Sequence, residues 1–251
     1  RIWLMYNDKE ILERQFDSME WYMNYLSQFG LEGPGISYGD WLNYEDTDKR
    51  YIAICFYAKD AELMAKFCKI LGKEEKAAHY EKLRADIQKH WEARYVKDGK
   101  ITVTSQAGYI LPLAFDLVEG ELKENCIKAL EKKIIDNNYT LSTGFVGTVL
   151  LNKTLEKVGL SHIAYSLLLQ TADPSWLYSV KQGATTIWER WNSYTLATGF
   201  GDVSMNSFNH YAYGAVAEWF YSGICGILPD EDAAGFKHFF LKPSPDMRDF
   251  I

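Results

Sequence analysis

The stretch from Gln182 to Asn192, QGATTIWERWN, holds the densest group of residues that could do chemistry. It places one carboxylate, Glu189, between Trp188 and Trp191. Cleavage of a glycosidic bond needs two carboxyl groups, one acting on the leaving oxygen and one on water or the anomeric carbon. Indole rings offer flat apolar faces to the CH groups of a sugar. The stretch therefore favours acid–base chemistry on a carbohydrate. The alternative is that Glu189 pairs with Arg190 or another cation at a helix end, while the tryptophans fill the core.

A second candidate is the segment YGDWL, which lies in the first long loop, before the apolar helix that is predicted from residue 50. Asp40 and Trp41 are expected to project from this loop into a pocket. The alternative is an aspartate that binds nearby backbone amides and a tryptophan packed beneath it. Three more acids follow, at positions Glu45, Asp46 and Asp48. Their spacing is irregular and no second acidic cluster faces them, so we interpret them as helix-start acids and predict no metal site.

The third candidate is NSFNHY, residues 206–211, which is expected to open the last buried helix. His210 could donate to a sugar hydroxyl or to the reacting carboxylate. A buried histidine with a satisfied hydrogen bond is the alternative. The remaining histidines are interpreted as structural or surface residues; they are His79, His90, His162 and His238.

Helices of two kinds must position these residues. One kind is apolar nearly all round, at 50–71, 105–118, 144–155 and 206–225, and such helices are buried on several sides. The other kind, at 74–95 and 120–136, has one apolar face and is expected outside. Alternation of the two predicts a two-layer ring of helical hairpins, an all-α (α/α) barrel of about seven or eight helices. No fixed-period repeat supports a solenoid.

The loops leading into the buried helices are long and rich in aromatic and hydroxyl residues, whereas the loops leading out are short. In a ring of antiparallel hairpins, all the long loops emerge at one end. Long loops gathered on one face of a rigid scaffold are where a pocket is built. We therefore expect the three candidate motifs to meet there.

The pattern changes after Cys225. Residues 226–251 contain a Pro-Asp turn and then FKHFFLKP, which predicts a β-strand. One strand cannot be stable alone, so we predict a barrel domain at 1–225 and the beginning of a β-sandwich module at 226–251.

Composition removes several function classes. The net charge of −7 and pI of about 5.3 argue against nucleic-acid binding. No apolar run is long enough for a membrane span and no signal peptide is visible, and the compartment stays open. No phosphate loop, dinucleotide fingerprint or nucleophile elbow occurs, so no cofactor is predicted. The four cysteines match no metal-ligand pattern and are interpreted as small buried hydrophobes.

Three motifs in this order, YGDWL, GATTIWERWNS and SFNHYAYGAVAEWFY, resemble bacterial α-L-rhamnosidases of glycoside hydrolase family 78. The resemblance covers essentially the whole chain, and the Thr-x-Trp-Glu-x-Trp motif is fairly specific. It implies an (α/α)6 barrel and inverting hydrolysis of terminal α-L-rhamnose from glycosides or polysaccharides.

The resemblance also implies roles for single residues. Glu189 matches the general base that activates water, Trp41 a pocket tryptophan against the sugar, and His210 a pocket histidine near the same ring. Asp40 and Trp191 lie inside the motifs and are expected in the pocket wall.

One element of the family pattern is missing. The family's general acid lies in an acidic motif containing arginine and tryptophan, upstream of the first residues here, and residues 1–40 contain no equivalent. We therefore expect a piece of a longer polypeptide that lacks its proton donor and is inactive alone. Two alternatives remain open at this point: a carbohydrate-binding barrel without catalysis, and a barrel hydrolase acting on another sugar.

Overall fold

The computed structural model describes residues 1–35 and 38–248. The predicted loop before the second long helix and the predicted terminal module each include residues outside these ranges. The α-helical segments of the described part are α1 Ile2–Tyr6, α2 Lys9–Ser27, α3 Lys49–Ile70, α4 Glu74–Tyr95, α5 Gln106–Ala114, α6 Gly120–Asp136, α7 Phe145–Lys157, α8 Ser161–Leu169, α9 Trp176–Lys181 and α10 Ala217–Trp219. Its strands are β1 Val96–Lys97, β2 Lys100–Ile101, β3 Tyr194–Thr195, β4 Gly199–Phe200, β5 Ile227–Pro229 and β6 Phe239–Leu241.

Three helical hairpins form the body of the fold: α3 packs on α4, α5 on α6, and α7 on α8. The first helices of these hairpins also contact one another, α5 lying between α3 and α7. The inner helices bury residues on most sides, whereas α6 buries only Cys126, Leu130 and Ile134 along one stripe. The predicted two-layer arrangement of a helical barrel is thereby confirmed. No helix in the described ranges combines the length and apolar character needed to cross a membrane.

The ends of the long helices follow from capping. Asp48 accepts a hydrogen bond from the backbone amide of Tyr51 at the start of α3 (2.8 Å), and Ser105 accepts one from Gly108 at the start of α5 (3.0 Å). Such caps satisfy amides that have no partner inside the helix. Asp48 is thus a helix-start acid, as interpreted from the sequence.

The long loops meet at one end of the hairpins, as predicted. The loop before α3 is joined to the loop before α5 by the hydroxyls of Thr47 and Ser105, 2.6 Å apart. It also contacts the loop before α7, because the Tyr44 amide donates to the Ser142 carbonyl (3.0 Å). The Leu141 amide in turn donates to the carbonyl of Pro174 (3.2 Å), which precedes α9.

The predicted helix at 206–225 is wrong in extent and regularity. Helical structure begins only at Ala212, as a 3₁₀ helix to Val216, and continues through α10 into a π-helical turn at Phe220–Ile224. A β-carbon added at Gly223 would lie 2.1 Å from the Trp219 indole nitrogen, so the indole packs directly over the glycine. This packing lies within the wide turn, where the Cys225 amide reaches back to the carbonyl of Phe220 (2.9 Å).

Two other sequence expectations need correction. The predicted helix at 105–118 ends at Ala114, and Asp116 then adopts a left-handed backbone with φ of 52°. Cys225 is exposed, whereas the other three cysteines are buried as expected.

The predicted terminal strand has a partner inside the chain. β6 pairs antiparallel with β5, in a register that places Leu228 opposite Phe240. The sequence analysis took the stretch containing β5 for a turn and expected the partner of β6 elsewhere. The larger β-sandwich and the domain boundary after residue 225 stay predictions.

Candidate functional site

Asp40 is buried at the beginning of α7, where it binds two backbone amides. Its Oδ2 accepts from Gly144 (2.8 Å) and its Oδ1 from Gly147 (2.9 Å). Free amides at a helix start favour a negative charge. Burial nevertheless raises the pKa of the Asp40 carboxyl, because desolvation outweighs the stabilising amides. With 1% of its surface exposed, Asp40 does not reach the pocket wall where the sequence analysis expected it.

Two glycines allow this close approach. A β-carbon at Gly144 would lie 2.1 Å from the Trp41 carbonyl oxygen, and one at Gly147 would lie 3.0 Å from Asp40 Oδ2. Only a residue without a side chain fits at Gly144 without moving the loop. The glycines of STGFVGT are therefore the sequence signal that complements YGDWL.

Trp41 lies next to Asp40 and is 41% exposed. Its carbonyl accepts a hydrogen bond from the Phe145 amide, 2.9 Å away. The first residue of α7 thus fixes the backbone of Trp41, while the indole retains open surface. An exposed indole on a fixed backbone can stack on a ligand ring.

Glu189 lies on a segment paired with residues 207–210. Its amide donates to the Ser207 carbonyl (2.9 Å), and the Ser207 amide donates back to Glu189 Oε2 (2.8 Å). The carboxylate is partly exposed and takes part in no ion pair within the described part of the chain. The alternative ion pair with Arg190 is wrong, because Arg190 Nε donates to the carbonyl of Met205 (2.7 Å). The other half of that alternative is correct, since Trp188 and Trp191 are both buried. The Glu189 carboxylate is therefore held by one backbone amide and can accept a further hydrogen bond.

His210 belongs to the same pair of segments and precedes the 3₁₀ helix rather than opening a helix. Its amide donates to the Ile187 carbonyl (2.9 Å), two residues before Glu189. Its ring packs on Phe145, with centroids 5.0 Å apart. Nδ1 accepts from the amide of Ala212 (3.2 Å), so the neutral ring carries its proton on Nε2. His210 is thereby prepared to donate through Nε2.

Trp191 is a core residue in this structure. Its ring stacks on Tyr213 at 3.8 Å between centroids, and its indole nitrogen donates to the Thr143 carbonyl (2.9 Å). Only 5% of its surface is exposed, so it also lies behind the pocket wall. The buried indole binds the 189–191 turn to the loop before α7.

Tyr213 connects the parts of the site, although the sequence analysis did not single it out. Its ring also meets Phe145 edge-on at 5.4 Å, and its hydroxyl donates to the Leu42 carbonyl (3.1 Å). Burial raises the pKa of Tyr213 above its ordinary value, and the charges of Asp40 and Glu189 raise it further. Both carboxylates are thus close enough to Tyr213 to influence the pKa of its hydroxyl. The only sequence signal for this residue was its place in the HYAYG motif.

The structure therefore gathers the five predicted site residues around the start of α7, in two groups. Trp41, Glu189 and His210, hereafter the candidate site, retain polar or aromatic surface. Asp40 and Trp191 lie beneath them. Within the described ranges, no three His, Cys, Asp or Glu side chains lie close enough together to hold a metal ion.

Comparison with known proteins shows which protein family this chain is similar to. The family model described as the bacterial alpha-L-rhamnosidase 6 hairpin glycosidase domain matches residues 1–224. Two similar curated proteins are alpha-L-rhamnosidases: one from Formosa agariphila, 40% identical over 98% of the chain, and one from Streptomyces avermitilis, 40% identical over 96%.

Solved structures give the same class. The Streptomyces avermitilis alpha-L-rhamnosidase complexed with L-rhamnose superposes with a TM-score of 0.92 at 38% identity, over 97% of this chain and 24% of that one. The Aspergillus terreus enzyme gives 0.90 at 32% identity, over 97% of this chain and 30% of that one. The chain spans about a quarter of the length of the curated relatives, 28% and 23% respectively.

Proposed function

Because this chain belongs to the bacterial alpha-L-rhamnosidase 6 hairpin glycosidase domain family, we propose that it carries the water-activating half of a rhamnoside hydrolase. The polypeptide containing it removes terminal α-L-rhamnose from glycosides or polysaccharides. The observation that supports this most directly is the partly exposed Glu189 carboxylate, which has no counter-ion among the described residues and lies on a segment paired with the one that carries His210.

In the proposed reaction Glu189 is the general base. Its carboxylate takes a proton from water as the water attacks the anomeric carbon, and inversion follows when that water comes from the face opposite the leaving group. Trp41 stacks on the sugar ring. The His210 Nε2–H donates to a ring hydroxyl.

We place the proton donor in polypeptide outside these 251 residues. A general acid needs a raised pKa and access to the leaving oxygen. Asp40 has a raised pKa, but it is enclosed by α7. Burial also raises the pKa of Asp173, but this residue lines a separate cavity together with Tyr44. Asp202 is exposed, but hydrogen bonds from the amide and hydroxyl of Ser204 lower its pKa. The relatives are about four times longer than this chain, so they contain ample sequence to supply the acid.

Asp40 and Trp191 act indirectly in this proposal. Asp40 fixes the backbone that bears Trp41, and Trp191 fixes the turn that bears Glu189. Both are positioning residues without sugar contact.

The test uses the full-length protein, a chromogenic α-L-rhamnoside and calorimetric titration with L-rhamnose. Glu189→Gln should lower kcat by about 100- to 10,000-fold, the usual range for loss of acid–base catalysis, and leave rhamnose binding mostly intact. Glu121→Gln, at an exposed position in the first turn of α6, is the matched control. Lost binding with preserved turnover would contradict the role of Glu189.

Two further readouts separate the parts of the proposal. NMR should show that the rhamnose is first released as the β anomer. Release of the α anomer would refute inversion but not the proposal that the protein is a rhamnoside hydrolase. Residues 1–251 alone should show no turnover, and robust hydrolysis by this chain would refute the external proton donor. Rhamnose binding without hydrolysis in the full-length protein would indicate a carbohydrate-binding barrel instead.

A further inference from the structure

A cavity lies near the candidate site, at the end of the hairpins where the long loops meet. Its volume is about 880 Å³, which lies in the range of small-molecule pockets. Its walls are the loop before α3, the loop before α7, the last turns of α6, and the Asp173–Pro174 segment. The candidate-site residues do not line it.

The cavity and the candidate site share their walls. Trp41 is at the candidate site and Tyr44 is at the cavity, and three residues of chain span at most about 10 Å. Between them, the Leu42 carbonyl accepts from Tyr213. The opposite wall is fixed to the same tyrosine, because the Trp176 indole donates to the Tyr213 carbonyl (2.9 Å). The cavity is therefore close enough to Trp41 to hold a sugar unit linked to one bound there.

The charges in the cavity are nearly balanced. Lys133 pairs with Glu45 at 2.5 Å, and Lys132 pairs with Asp136 at 2.7 Å. Asp173 is the remaining carboxylate of the lining, and it has no cation within the described part of the chain. An anionic ligand would find no unpaired cation there, so the lining suits an uncharged ligand.

Tyr44 and Asp173 supply the contacts that a sugar needs. The tyrosine is 44% exposed and lines the cavity. Its hydroxyl lies 3.5 Å from Asp173 Oδ1, longer than the roughly 2.5–3.0 Å of a good O–H···O bond. Both groups therefore keep capacity to bind hydroxyls of a ligand.

We propose that this cavity is a binding subsite for a neutral sugar unit attached to the rhamnose that is cleaved, with Tyr44 as its stacking face and Asp173 as its hydroxyl acceptor. This inference rests on the proposed function. It makes Tyr44 and Asp173 specificity-determining residues: they favour a rhamnosylated oligosaccharide over a simple rhamnoside.

The test compares KM values of the full-length protein for three substrates: a chromogenic rhamnoside, rhamnosyl-cellobiose, and an analogue in which the sugar next to rhamnose is a uronate. Tyr44→Ala should raise the ratio of the rhamnosyl-cellobiose KM to the chromogenic KM about 2- to 12-fold, as expected for loss of one aromatic contact. Tyr44→Phe, which keeps the ring, should raise the ratio less. Asp173→Asn should also raise it.

Matched controls are Tyr6→Ala and Asp17→Asn, because both residues are exposed and neither lines the cavity. The proposal is overturned if Tyr44→Ala leaves the ratio unchanged, if Tyr6→Ala changes it equally, or if the uronate substrate has the lower KM. If the wild-type protein hydrolyses none of the three substrates, the proposed function fails. Calorimetric titration with free cellobiose then decides the subsite separately: weaker binding by Tyr44→Ala supports it, and no wild-type binding refutes it.

Discussion

Replacement of Asp40 tests whether this residue contacts the sugar or positions the site. Asp40→Ala removes the acceptor from the amides of Gly144 and Gly147, at 2.8 and 2.9 Å. Hydrogen bonds to a charged group contribute about 1.5–3 kcal/mol each. For the ionised carboxyl, the desolvation that raises the Asp40 pKa outweighs these bonds. The cost of the substitution therefore comes from leaving two buried amides without an acceptor, about 1–3 kcal/mol each. We expect a net loss of about 2–4 kcal/mol in the free energy of unfolding.

The assay is urea unfolding of the chain, followed by tryptophan fluorescence. Asp48→Ala is the matched control, because Asp48 caps α3 with one hydrogen bond at an exposed position. Loss of such a cap costs about 0.5–2 kcal/mol. Asp40→Ala should therefore lower the urea midpoint more than Asp48→Ala does.

Rhamnose binding by the full-length protein completes the test. A positioning role predicts that weaker sugar binding accompanies the loss of stability, because Trp41 moves when Asp40 no longer holds α7. Unchanged stability with weakened binding would instead indicate direct contact and refute the reasoning. If Asp48→Ala lowered the free energy of unfolding as much as Asp40→Ala does, the estimated difference between the two substitutions would be refuted.

Two other substitutions have outcomes that the structure fixes. Burial raises the pKa of Asp60 to about 6 from 3.8. The folded state therefore binds a proton more tightly than the unfolded state, and ionisation of Asp60 lowers the free energy of unfolding as pH rises from about 4 to about 6. In urea titrations, Asp60→Asn should raise this free energy by about 2–3 kcal/mol at pH 7.5 and change it little at pH 4. An equal effect at both pH values, or the same gain from exposed Asp17→Asn, would contradict this. Gly144→Ala places a β-carbon 2.1 Å from the Trp41 carbonyl and should cost about 1–3 kcal/mol in the same assay. Gly214→Ala, whose nearest neighbour is the Ile187 side chain at 3.3 Å, should cost less, and equal costs would show that the loop tolerates the clash.

The hairpins could be predicted from sequence because their signal is local. The stripe of Cys126, Leu130 and Ile134 repeats at helical spacing and faces the core as expected. The bounds of α4 and α6 agree with the predicted 74–95 and 120–136. The prediction of the last inner helix was wrong in part because residues 207–210 pair with 187–189 instead, a long-range contact that no periodicity reveals.

The site was only partly predictable because its contacts join distant parts of the chain. Nothing near Asp40 in sequence shows that its partners are amides 104 and 107 residues away. Trp191 and Trp41 look equivalent in sequence, yet one stacks on Tyr213 and the other keeps open surface. Residue type therefore identified the chemistry, while tertiary packing decided which side chains face outward.

The start of α7 explains why these motifs occur together. Phe145 holds the Trp41 carbonyl with its amide and packs on His210 and Tyr213 with its ring. Glu189 joins this group through backbone pairing with the segment that carries His210. A change in the position of α7 would move the stacking residue directly and, through the ring of His210, the pair of segments that carries both the hydrogen-bond donor and the base. The distance between base and sugar thus depends on the packing of those segments against α7, and Tyr213 and Trp191 provide that packing.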